Sequence, residues 1–405
     1  MTLIRPFAGL RPVPGRAADV VAPPYDVLSS SEARARAQGR PWSFLHVSRA
    51  EIDLPETTDP YDARVYRTAA DNLQRMIAAG VLVRDSAPCY YVCRMRMGDH
   101  VQSGIVAAAS VADYNRNRIR RHEFTRPDKE DDRVRQIEAL NAQTGPVLLA
   151  SPTSEAVNAI LERVTADPPE VDVVADDGVG HMLWVVRDAS LIRIITDTFE
   201  SMDALYIADG HHRSAAAARV AAARPEDVAA AGFLAVIFPH EQMRILDYNR
   251  VVRDLAGMSA ENLLSRISAD FSVSVSRQAV RPDAPGRFGM YLAGQWYRLQ
   301  IHPQRVPDDP VGRLDVSLLA DHLLGPVLGI TDPRRDDRIG FVGGIRGLGE
   351  LEQRVDSGAM AVAFALYPTR MQDLMAVADA GRVMPPKSTW FEPKLADGLV
   401  SLVLS

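Results

Sequence analysis

Tyr206-Ile207-Ala208-Asp209-Gly210-His211-His212-Arg213-Ser214-Ala215 is the stretch that decides how the chain is read. The apolar run Ala204 to Ala208 predicts a short strand, and the alanines after Ser214 predict a helix that begins at once. Between them stand an acid, a glycine, two imidazoles and a guanidinium. Gly210 supplies the positive φ of a tight turn and lets a ligand approach the backbone. The first turn of a helix carries N–H groups without intrahelical partners, and its dipole favours negative charge. Strand, turn and helix together predict an anion site, above all for phosphate. Arg213 is expected to grip phosphate through two parallel bonds, with Ser214 beside it. His211 and His212 are adjacent and point to different sides, so one of them faces the ligand. Asp209 is expected to hold Mg2+ or to orient an imidazole. A capped helix start with surface histidines is the plain alternative for any one residue. Five such groups at one junction favour function.

The flanking pattern alternates helix and strand. Residues 204–238 read as strand, turn, helix, strand. Upstream, a helix is expected over 62–79, closed by Gly80, with strands over 89–97 and 104–111. Residues 151–200 predict a helix followed by strands His181–Val186 and Leu191–Ile195. Downstream, 255–300 mixes helix and strand. Beyond it come a helix near Leu348–Val355, strand Ala361–Tyr367, helix Thr369–Ala380 and a last strand Leu399–Leu404. The fold class is α/β, or α+β, with mixed sheets and flanking helices. Two regions are expected: 1–245, holding the histidine turn, and 246–405, contributing a proline loop.

A second constellation lies at Arg121-His122-Glu123-Phe124-Thr125-Arg126-Pro127-Asp128-Lys129-Glu130. Pro127 suits the first helical position, Asp128 and Glu130 the first turn, and Gly145-Pro146 is expected to end the helix. Lys129 and Arg133 then share a face. A carboxylate able to take a hydroxyl proton, beside cations that offset phosphate charge, meets the needs of phosphoryl transfer. A solvated charged helix is the equal alternative. The third is Met384-Pro385-Pro386-Lys387-Ser388-Thr389-Trp390-Phe391. Its Lys-Ser-Thr lacks the glycines of a P-loop, yet a rigid loop presenting a lysine and two hydroxyls could close a polyanion site. Pro23-Pro24-Tyr25-Asp26 is likewise a stiff loop with an acid at its tip.

Composition limits the function classes. The chain has 405 residues, 47% hydrophobic and 24% charged, with a formal net charge of −6. That is the make-up of a soluble globular protein, and an acidic balance disfavours general nucleic-acid binding. Arg116-Asn117-Arg118-Ile119-Arg120-Arg121 is short and lacks interleaved aromatics, so it reads as a charged strand or loop end. Cys89 and Cys93 read as buried reduced thiols, too few for a zinc site or a disulfide scaffold. The start of the chain lacks the pattern of a signal peptide, and no apolar run reaches membrane-spanning length; a cytoplasmic location is expected. Gly343 to Gly349 lacks dinucleotide spacing, and no nucleophile elbow occurs.

Taken in order, Ala22-Pro23-Pro24-Tyr25-Asp26-Val27, His122-Glu123 with Thr125, Pro127, Lys129-Glu130 and Asp132-Arg133, then Asp209 to Arg213 and Met384 to Phe391 resemble the domain-of-unknown-function family one thousand and fifteen. The resemblance covers nearly the whole chain. The Asp209–Arg213 turn is also similar to that of the ParB/sulfiredoxin-like superfamily, which puts a nucleotide phosphate at such a junction. Sulfiredoxins need a cysteine in the turn, where this chain has His211. ParB proteins add a helix-turn-helix, for which no candidate stands out. The kinases of free serine keep an Asp-Gly-His type of turn and are the nearest match. The resemblance implies an ATP- or ADP-dependent kinase, with Mg2+, acting on free L-serine or a related hydroxylated metabolite. In that picture Gly210 and the following N–H groups cradle phosphate, His212 and Arg213 neutralise the moving phosphoryl group and Glu123 is the base. His211, Ser214, Lys387, Ser388 and Thr389 assist at the nucleotide. Tyr25, Asp26, His122, Lys129 and Arg133 contact substrate, and Asp209 assists Mg2+. The partners are then a nucleotide and a small molecule, with no membrane and no nucleic acid; a homodimer stays open. The alternative of another class is a regulatory nucleotide-binding module of ParB type. DNA cleavage with Arg116–Arg121 as backbone contact is a third reading. That the separated motifs meet the histidine turn in space is itself a prediction.

Overall fold

The structure, a computed structural model, describes residues 2–405. Two compact units are present, one formed by Met1–Met243 together with Pro393–Ser405, the other by Arg244–Glu392. The chain leaves the first unit after Met243, and its last thirteen residues belong to that unit again.

The first unit is built on a nine-stranded mixed sheet. Its strands run in the order Ile119–Arg120, Leu205–Asp209, Val147–Ser151, Gly232–Pro239, His100–Ser110, Tyr90–Met97, Gly180–Val186, Val171–Val174, with Ile4–Arg5 pairing on His100–Ser110. Two pairings are parallel, Leu205–Asp209 with Ile119–Arg120 and Gly232–Pro239 with Val147–Ser151; the others are antiparallel. Central strands such as Gly232–Pro239 are buried along their whole length, which is why they read as unbroken apolar runs. Tyr90, Ile207, Phe199 and Phe233 belong to one core beneath helices Glu155–Thr165 and Ala189–Glu200. A four-stranded sheet of Leu82–Arg84, Gly9–Pro12, Ser401–Val403 and Ala142–Gln143 ties the end of the chain to its beginning. The second unit contains a six-stranded sheet in which every pairing is antiparallel. Among the described residues no helix is long and apolar enough to cross a membrane. The mixed α/β architecture expected from the alternating pattern is the one observed.

Two local expectations are corrected. Leu191–Ile195 is not a strand; it lies inside helix Ala189–Glu200. The Asp188 side chain accepts from the Leu191 N–H as N-cap, and Leu191, Ile195 and Phe199 fall on one buried face at four-residue spacing. The β-branched run had suggested a strand, but tertiary burial of the helical stripe wins. The helix after Pro127 ends at Leu140, before Gly145-Pro146, because Asn141 turns left-handed at φ 47°. Cys89 and Cys93 are buried free thiols.

Candidate functional site

Strand Leu205–Asp209 carries a register shift between Ile207 and Asp209, an irregularity that re-aims the residue following it. Gly210 then turns left-handed at φ 97°, and helix His211–Ala223 begins with no capping side chain. A Cβ on residue 210 would stand 3.1 Å from Arg213 Nε and 3.3 Å from Val147 Cα, so both the turn and the packing call for glycine.

The two imidazoles diverge. His211 is buried against His122, their ring centroids 4.5 Å apart and perpendicular. The His122 backbone N–H donates to His211 Nε2 at 3.4 Å, and Glu123 Oε2 stands 3.7 Å from His211 Nδ1. Burial lowers His122 to about 4; burial and the neighbouring His122 hold His211 well below its ordinary range. His212 is half-buried and accepts the Arg126 N–H at 3.1 Å, which fixes the start of helix Pro127–Leu140 against the turn.

Arg213 points the other way. Its guanidinium donates to the Pro146 carbonyl and lies 3.9 Å from both Asp26 Oδ2 and Asp209 Oδ1. Burial pushes the Asp209 carboxyl up, but Lys394, whose Nζ donates to Asp209 Oδ2 at 3.2 Å, and Arg213 prevail and hold it at about 2. Asp209 is therefore ionised and already faces two cations.

Behind Arg213 lies a small cavity of about 30 Å³. Tyr25, Arg133, Thr144, Arg213 and Asp397 are among its lining residues. The Arg133 guanidinium sits 3.9 Å over the Tyr25 ring, and Asp132 holds it through two bonds of 2.9 and 2.6 Å while also accepting the Tyr66 hydroxyl at 2.8 Å. Asp397 is buried, and burial pushes its carboxyl up to about 7 despite the pull of Arg213 and Arg133. The segments around 22–26, 121–133 and 209–213 meet in this one unit.

Other nominated residues are engaged elsewhere. Ser214 is fully buried and donates its hydroxyl to the His211 carbonyl at 3.0 Å, so it serves the helix rather than the turn's open side. Lys129 donates to the Tyr61 hydroxyl at 2.6 Å. Lys387, Ser388 and Thr389 belong to the second unit. There Lys387 is left-handed at φ 59°, its carbonyl accepts from Arg250 at 2.9 Å, and the Ser388 hydroxyl donates to the Pro385 carbonyl at 2.6 Å. Lys394 and Asp397 were not foreseen. Both sit in an extended segment whose Asp397 pairs with Ala22, a contact without a local sequence signal.

The chain belongs to the family described as protein of unknown function (DUF1015), whose model matches residues 4–317. No curated protein is significantly similar in sequence. Among solved structures it is similar to a free serine kinase variant in complex with AMP, at 12% identity over 68% of this chain and 84% of that one, with a TM-score of 0.35. It is also similar to a conserved hypothetical protein from Pyrococcus furiosus, at 14% identity over 69% and 90%, TM-score 0.35. A third is SbnI with C-terminal truncation from Staphylococcus aureus, at 12% identity over 73% and 87%, TM-score 0.39.

Proposed function

We propose that this family member is a small-molecule kinase that transfers a phosphoryl group from ATP or ADP to the hydroxyl of free L-serine or a related hydroxylated amino acid. One observation carries the reading: an uncapped helix start and a cavity lined by Arg133, Arg213 and Asp397 share Arg213. The helix start suits phosphate, and the cavity offers guanidinium groups to a carboxylate and a carboxylate to an ammonium.

In this reading the N–H groups after Gly210 hold the nucleotide phosphates, and Arg213 bridges nucleotide and acceptor. His212 stays at the helix start. Arg133, held flat by Tyr25 and Asp132, fixes the acceptor's carboxylate. Neither Glu123, the base expected from the sequence, nor Asp26 lines the cavity, but Asp26 lies 3.9 Å from Arg213, which does, whereas Glu123 lies beside His211. The proton of the attacking hydroxyl is therefore assigned to Asp26. Asp209 is the residue that would meet a nucleotide-bound Mg2+, in exchange for its bond to Lys394, and that ion would supply neutralisation of phosphate charge. Removing one such charge-stabilising donor typically costs about 10²–10³-fold in rate.

The test is consumption of ATP or ADP in the presence of single amino acids and hydroxy acids, with the phosphorylated product identified by mass. Serine-dependent phosphoserine formation, lost in Arg213→Ala and Asp26→Asn with folding intact, supports the proposal. Nucleotide binding without stimulation by any small hydroxyl compound replaces it with the regulatory-module reading.

A further inference from the structure

The phosphoryl reaction as proposed makes no use of His122, Glu123 and His211, yet these three present one ligand atom each within 4.8 Å of one another. His122 Nδ1 is shut off from solvent and meets no hydrogen-bond partner. A buried ring nitrogen is thus left without a bonding partner. We infer that His122, Glu123 and His211 form a binding site for a divalent first-row transition ion of the Zn2+ class.

The chemistry of the donor set points to that class. Imidazole suits zinc, iron, copper and nickel, whereas Mg2+ prefers oxygen ligands throughout. Zinc bound by two histidines and one carboxylate leaves a fourth position open. Bonds of about 2.0–2.1 Å put tetrahedral ligand atoms about 3.4 Å from one another, so the 3.7 Å between His211 Nδ1 and Glu123 Oε2 is nearly there. Glu123 is half-exposed and gives the ion its way in.

Two features oppose the site. His211 opens a helix, whose N-terminus repels cations. Glu123 as ligand and the ionised Asp209, whose charge also reaches both imidazoles, offset that. Ligation through His211 Nδ1 also moves that ring's proton to Nε2 and gives up the 3.4 Å contact with the His122 N–H.

The test uses the full chain, freed of metal with a chelator and titrated with Co2+, then with Zn2+ in competition. The expected result is one equivalent of Co2+ with the visible absorption of a four- or five-coordinate ion, displaced by Zn2+. Affinity should fall more than about tenfold in His122→Ala and in Glu123→Gln. Glu123 is half-exposed, so its isosteric variant guards against a folding artefact. Arg213→Ala, which removes phosphoryl transfer in the proposed function, should keep Co2+ binding unchanged, so the two readings fail separately. Absence of binding overturns the inference, as does binding that Glu123→Gln leaves intact.

Discussion

Asp397→Asn tests the cavity most directly. The folded chain holds this carboxyl near 7, through burial, against an ordinary value of 3.8. The folded state therefore keeps the proton to a higher pH than the unfolded state does. Stability contributed by this group is intact below about pH 4 and is lost as pH rises towards 7. The full difference corresponds to about 4 kcal/mol, with about 1 kcal/mol of it already lost at pH 4.5. Asparagine has the same shape and never ionises. Asp397→Asn should thus gain roughly 3 kcal/mol on the wild type between pH 4.5 and pH 8. Urea unfolding of both proteins at the two pH values, followed by circular dichroism, measures this gap, and the other carboxylates cancel in the difference. An acid that costs the fold this much is what a cation-binding site demands, so the same variant should lose serine binding while gaining stability. An equal stability difference at both pH values would mean that Asp397 is solvated or fully paired, and the ammonium role would go with it.

Gly210→Ala should destabilise by about 1–3 kcal/mol from the left-handed backbone alone, before the contact with Arg213, and thermal unfolding checks it. Asp188→Ala should remove a helix N-cap worth about 1 kcal/mol, visible as a lower urea midpoint; no change would restore the strand reading of Leu191–Ile195. His181 is buried and held at about 4 by burial, below its unfolded value of 6.5, so its contribution is whole above pH 6.5 and is lost as pH falls towards 4. His181→Leu should flatten the acid limb of the stability profile by about 3 kcal/mol in urea titrations.

What the sequence could and could not reveal follows from the range of the interactions involved. The strand, Gly210 turn and helix at 205–223 were legible because each part is decided locally: an apolar run, a residue free to take positive φ, and a run of alanines. The helix over 189–200 was misread because Leu191, Ile192, Ile194 and Ile195 fit either period, and the deciding residue, Phe199, lies beyond the apparent strand. Neighbours in sequence also parted: His122 is buried and Glu123 half-exposed, and His211 turns to them while Arg213 turns to Tyr25 and Asp26. No local signal nominates Lys394 or Asp397, because both owe their position to a segment that pairs with Ala22 across the fold. The same pairing carries a functional consequence. The cavity's one buried acid and the lysine bonded to Asp209 arrive together on the final segment, so Asp397 and Lys394 stand or fall as a unit. A substitution that displaces this segment should therefore release Asp209 from Lys394 and remove Asp397 from the cavity at once, while Arg213 keeps Asp26 and Asp209 beside it and the helix start stays intact.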